Sequence, residues 1–130
     1  MEKNLEVIVL AAGRGTRMRS TLPKVLHTLA GQPLLQHVID TARALGPSQI
    51  HVVVGYGGDS VQKTLSGQEL KFHTQKEQLG TGHAVGCALP ACQRDSVVLV
   101  LFGDVPLIAA STLQALIGGA QHKPVMLAAR

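Results

Sequence analysis

Two unbroken apolar runs, Val7 to Ala11 and Val97 to Phe102, constrain the fold of this chain more than any other feature. A strand with one face in water alternates apolar and polar residues, whereas a run that is apolar at every position needs cover on both faces. The first run passes into the glycine-rich segment Ala11-Ala-Gly-Arg-Gly-Thr-Arg-Met18, and the second into Gly103-Asp104. Both therefore read as parallel strands that open into loops at the carboxyl edge of a sheet.

The rest of the chain alternates in the same sense. In the segment that runs from Ala30 to Gly46, the spacing of Leu35, Val38, Ile39, Ala42 and Leu45 predicts one apolar helical face, with Pro33 in the first turn and Gly46-Pro47 as the stop. Gln49 to Gly55 reads as a second strand, followed by a short helix for which Asp59 or Ser60 is the N-cap. Leu70 to Thr74 is a weaker strand, and Thr81 to Ala91 a helix interrupted by Gly86 and Pro90. Beyond the second apolar run, Ser111 or Thr112 caps a helix to Ile117, and Val125 to Ala129 begins another strand. Strands joined by helices imply right-handed crossovers and a Rossmann-like three-layer α/β/α architecture with a mostly parallel sheet. The 130 residues suffice for one domain, and the end at Arg130, inside an expected strand, reads as a truncated one.

Composition narrows the partners. A formal charge of +4 invites a nucleic-acid reading, but the Lys and Arg residues are scattered and only Tyr56, Phe72 and Phe102 could stack on bases, so a polyphosphate ligand is expected instead. No apolar run approaches the ~20 residues that span a bilayer, and the start lacks a secretory pattern, which leads to the expectation of a soluble, cytoplasmic protein. Cys87 and Cys92 read as buried intracellular thiols and not as a disulfide or a metal pair. The six histidines occur singly, without metal spacing; His37 reads as a helix-surface residue and His51 as a strand-packing one.

Three segments at strand ends carry chemistry. Gly13 and Gly15 allow close backbone approach to a ligand, and a plain strand-to-helix turn has no use for the cations Arg14, Arg17 and Lys24 that accompany them. A dinucleotide fingerprint is rejected because Met18 stands where a third glycine is needed and the second strand ends in Gly55-Tyr56 without an acid. The other phosphate loop, a glycine followed four residues later by Gly-Lys-Ser or Gly-Lys-Thr, is absent. Asp104 follows a buried run and can hold Mg²⁺ against a polyphosphate, since that ion keeps several waters and needs few protein ligands. Gln75 precedes Leu79-Gly-Thr-Gly-His83, and its amide can offer uracil an acceptor and a donor at once.

With these residues in view, Leu10-Ala-Ala-Gly-x-Gly-Thr-Arg-Met18 and Leu22-Pro-Lys-Val-Leu-His27 resemble nucleotide-sugar pyrophosphorylases broadly. Gln75-x-x-Gln-Leu-Gly-Thr-Gly-His-Ala84 and Gly103-Asp-Val-Pro-Leu107 resemble the bacterial N-acetylglucosamine-1-phosphate uridyltransferase and glucosamine-1-phosphate acetyltransferase family, over the whole chain. The resemblance implies that residues 1–130 are the N-terminal portion of the nucleotidyltransferase domain, with the left-handed β-helix acetyltransferase domain, the sugar contacts and a second metal ligand lying further on. It implies nucleotide contacts from Leu10, Ala11, Ala12 and Gly13, base recognition by Gln75, Gly80 and Thr81, and contacts from Phe102, Gly103 and Asp104 to ribose and metal. Arg17 and Lys24 become the catalytic cations on the phosphates, and Phe102 stands where the family often has tyrosine.

The implied reaction joins UTP to N-acetylglucosamine 1-phosphate with Mg²⁺, giving UDP-N-acetylglucosamine and pyrophosphate for cell-wall precursors. The implied assembly is a homotrimer through the further domain. A cytidylyl or guanylyl transferase on the same fold, or a non-catalytic nucleotide-binding module, are the competing expectations.

Overall fold

The computed structural model describes residues 4–11, 24–55, 59–76, 80–93, 96–105 and 127–129. The five strands of its main sheet are β1 (Leu5–Leu10), β4 (Gln49–Val54), β5 (Lys71–Thr74), β6 (Val97–Phe102) and β7 (Leu127–Ala129). They lie in the order β5-β4-β1-β6-β7, and every pairing is parallel. The chain moves outward from β1 through β4 to β5 and then returns to the other side of β1 as β6. That reversal puts the switch point between β1 and β6, the place where sheets of this kind bind ligands beyond the carboxyl ends of the strands.

The two apolar runs are central because they can be covered on both sides. Val7, Val9, Val52, Val54, Leu99 and Leu101 face α1 (Leu34–Ala44) and α2 (Asp59–Thr64), where Leu35, Ile39, Ala42 and Val61 complete one core. Ile8, Leu10, Val53 and Val100 face α3 (Thr81–Ala88), packing on Ala84, Val85 and Ala88. The result is the expected three-layer α/β/α sandwich. Residues Leu35, Val38, Ile39 and Ala42 are all buried on α1, as their spacing predicts, with Leu45 partly buried at the end. Gly46 (φ +69°) ends the helix in the left-handed region that glycine tolerates.

Three local expectations change. The segment after Ala30 does not run straight into a helix: β2 (Thr28–Leu29) and β3 (Gln32–Pro33) form a small antiparallel hairpin first. Its two-residue loop, Ala30 and Gly31, has φ values of 53° and 84°, positive at both positions as a tight hairpin of type I′ requires. Pro33, with ψ 146°, is therefore extended and caps α1 from outside its first turn. Gly86 does not interrupt α3, which continues to Ala88, and Pro90 sits in a separate 3₁₀ turn, Leu89–Ala91. The helix expected from Ser111 or Thr112 lies outside the described residues, and no helix among those described is long and apolar enough to cross a membrane.

Candidate nucleotide site at the carboxyl edge

The parallel ladder does not stop where the strands end. The Ala11 amide donates to the Val53 carbonyl at 2.8 Å, the Gln75 amide to Val54 at 2.7 Å, and the Gly103 amide to Leu10 at 2.9 Å. Residues from three separate loops are thereby aligned along one edge: Gln75 beyond β5, Leu10 and Ala11 at β1, and Gly103 and Asp104 beyond β6. Backbone bonding supplies the alignment, so it does not depend on the identity of the side chains.

Gly103 is fixed by close approach. A Cβ there would stand 3.0 Å from Leu35 Cδ1, 3.1 Å from the Leu10 carbonyl oxygen and 3.3 Å from Val25 Cγ1. The turn that follows closes when the Val105 amide donates to the Phe102 carbonyl at 3.2 Å, which carries the half-buried Asp104 to the β1–β6 switch point. Phe102 itself is half-buried and packs against the α3 side of the core. A 3₁₀ turn, Lys24–Leu26, buries Val25 and Leu26 beside α1, so the backbone of Lys24 is tied next to Gly103 through its neighbour. Ala12, Gly13 and Arg17 lie outside the described residues, as does the side chain of Lys24.

Gln75 is 3% exposed and its amide is held from two sides. Nε2 donates to the Gly80 carbonyl at 3.3 Å and to His83 Nδ1 at 2.9 Å. Gly80 (φ +100°) leads into α3 with a backbone conformation open mainly to glycine, and Thr81 and His83 stand exposed on the first turn. Both amide hydrogens of Gln75 are thus engaged within the protein. His83 is the participant that the sequence pattern did not single out, because its partner lies across a turn.

Asp104 suits a hard divalent cation, since Mg²⁺ takes oxygen donors and commonly only one or two carboxylates from the protein. A second polar cluster lies at the opposite, amino end of the sheet. Glu6 is 3% exposed; its Oε1 accepts from His51 Nε2 at 2.8 Å, and its Oε2 from the Gln93 amide at 2.6 Å and Ser96 Oγ at 2.7 Å. His51 Nδ1 in turn lies 2.9 Å from His73 Nε2. Cys92 has no histidine or further cysteine cluster beside it in sequence, yet the fold brings its sulfur within 4.8 Å of ligand atoms of Glu6 and His51. Burial and the Glu6 charge push the Cys92 thiol up to about 11, although Lys71 pulls the other way, so it stays protonated and behaves as packing. Cys87 and Cys92 are both free, as expected, but only half-buried where full burial was expected.

Known proteins resemble the chain in both sequence and fold. A model described as "MobA-like NTP transferase domain" matches residues 7–130. A protein of Cellvibrio japonicus named "Bifunctional protein GlmU" is 50% identical over 95% of this chain, which covers 27% of that relative. A protein of the same name from Pseudomonas aeruginosa strain PAO1 is 59% identical over 88% of this chain, which covers 25% of it. The chain thus spans about a quarter of the length of these relatives. Among solved structures, Rv0371c from Mycobacterium tuberculosis H37Rv superimposes with a TM-score of 0.82 at 22% identity, covering 94% of this chain and 63% of that one. The same protein has been solved in complex with manganese, with a TM-score of 0.78 over 94% of this chain and 62% of that one, again at 22% identity. A continuous family match through β1 and β6, together with these relatives, gives the classification: the chain belongs to the MobA-like NTP transferase domain family.

Proposed function

We propose that this chain forms the nucleotide-binding part of a uridylyltransferase that joins UTP to N-acetylglucosamine 1-phosphate and releases pyrophosphate. The observation that carries the reading is the ladder beyond the strand ends, which sets Gln75, Ala11 and Gly103 in one row across β5, β1 and β6, with Asp104 the next residue after Gly103. That row has the order of a nucleotide: a base reader at one end, backbone groups in the middle and a carboxylate at the polyphosphate end.

In this reading Gln75 Oε1 accepts the uracil N3–H, and Gly80 and Thr81 flank the base. Leu10, Ala11, Ala12 and Gly13 meet the nucleotide through their backbone, while Phe102 and Gly103 line the ribose. Asp104 holds Mg²⁺, an ion that supplies charge neutralisation between the phosphate groups when bound. A divalent ion is also supported by the manganese complex of a protein with this fold. Arg17 and Lys24 stabilise the charge that grows on the transferring phosphoryl group and the departing pyrophosphate. The attacking group is an oxygen of the sugar phosphate, already anionic, so no protein base is required and positioning with charge neutralisation provides the rate.

Calorimetric titration of the chain with UTP, CTP and GTP, each with Mg²⁺, tests the proposal. Tighter binding of UTP is expected; equal affinity for all three would remove uridylyl transfer as the function.

A further inference from the structure

We infer that His83 is a specificity-positioning residue, which fixes the Gln75 amide with its oxygen unpartnered so that the pocket selects a base with a ring N–H donor over one with a ring-nitrogen acceptor. The inference rests on Gln75 being the base reader, as proposed above.

The orientation of the amide follows from what its partners can do. A backbone carbonyl only accepts, so the end of Gln75 that lies 3.3 Å from the Gly80 oxygen is the NH₂ end. At that distance the contact is long, and alone it would hold the amide weakly. The shorter contact, 2.9 Å to His83 Nδ1, secures the second hydrogen and requires His83 to present a lone pair there, with its own hydrogen on Nε2. With the amide reversed, two oxygens would face each other at Gly80.

What remains is Oε1. Among the described residues it has no hydrogen-bond partner, which leaves it as the amide atom available to a base. Uracil offers an N3–H to such an acceptor. Cytosine offers a lone pair at the same ring position, and two acceptors facing each other leave both unsatisfied as water is excluded. A preference for UTP over CTP on the order of tenfold is the expected consequence.

Without His83 the amide has one long hydrogen bond to hold it and can rotate to suit either base. His83→Ala should therefore reduce the UTP to CTP affinity ratio several-fold. Asparagine places its Oδ1 as many bonds from the backbone as histidine places Nδ1, so His83→Asn restores the acceptor and should restore the ratio. His83 is exposed, so neither variant touches the core, and the thermal midpoint should stay at the wild-type value.

The experiment is calorimetric titration of wild type, Gln75→Ala, His83→Ala and His83→Asn with UTP and with CTP, each with Mg²⁺. Loss of the preference in Gln75→Ala, reduction in His83→Ala and recovery in His83→Asn would support the inference. A preference lost in Gln75→Ala but intact in His83→Ala would overturn the role of His83 while leaving Gln75 as base reader. A preference indifferent to Gln75→Ala, or absent from the wild type, would overturn both.

Discussion

Gly103 is not in the left-handed region, and its constraint comes from three atoms of other segments that would have to give by a few tenths of an ångström to admit a methyl group. The carbonyl oxygen of Leu10 cannot retreat, because it accepts the Gly103 amide that holds the two strand ends together. Gly103→Ala should therefore destabilise the fold by about 1–3 kcal/mol, the usual range for overpacking a tight interior, seen as a lower urea midpoint with an unchanged slope. An unaltered midpoint would mean that the β1–β6 edge yields easily. Asp104, one residue on, is predicted to act through charge: Asp104→Ala should leave the unfolding midpoint near wild type and abolish the Mg²⁺ dependence of UTP binding. A glycine after a buried strand was legible in the sequence as a loop signal, and Asp104 as a carboxylate at the mouth of the sheet. The contact of Gly103 with Leu35 and Val25 was not legible, since it arises between segments remote in sequence.

At the scale of elements, helix α1 was legible because its 3.6-residue period is complete, with each of Leu35, Val38, Ile39 and Ala42 buried. The hairpin before it was hidden by its loop: Ala30-Gly31 lacks the asparagine or aspartate that usually marks two successive positive φ values. Helix α3 was misjudged in the other direction. Glycine inside a helix costs about 0.5–1 kcal/mol relative to alanine, which weakens a helix without ending it when packing by Ala84, Val85 and Ala88 holds the opposite face. Gly86 is exposed, and a Cβ there would meet nothing within 4 Å. Gly86→Ala should accordingly stabilise the chain by about 0.5–1 kcal/mol, measured as a raised denaturation midpoint. A lowered midpoint would show that the backbone at Gly86 needs the freedom of glycine.

Across the whole molecule, the sheet has two chemically different ends, and the amino end carries two described groups, Glu6 and His73, whose shifted ionisation links stability to acid. Glu6 is the second residue of a strand that the sequence pattern started only at Val7, so its burial with His51 was not foreseen; a carboxylate near a strand end reads as solvated until its partners are known. Burial alone would raise its pKa, but hydrogen bonds from His51, Ser96 and the Gln93 amide, with the His51 charge, outweigh it and hold the carboxyl below its ordinary 4.5. His73 is also lowered from its ordinary 6.5, by burial first and then by the charges of His51 and Lys71. Both groups therefore bind protons more readily in the unfolded chain than in the folded one. The contribution of His73 is complete above its unfolded value and is lost as pH falls from about 6.5 through its lower folded value. That of Glu6 is lost in the same sense below about 4.5. Thermal midpoints should thus decline in two stages on acidification, the first from His73 and the second from Glu6. His73→Gln removes the titrating ring while keeping a polar side chain beside His51, and it should flatten the first stage and leave the second. Midpoints followed from pH 7.5 to 3.5 in both proteins provide the measurement, and an identical first stage in His73→Gln would assign the acid sensitivity to other groups.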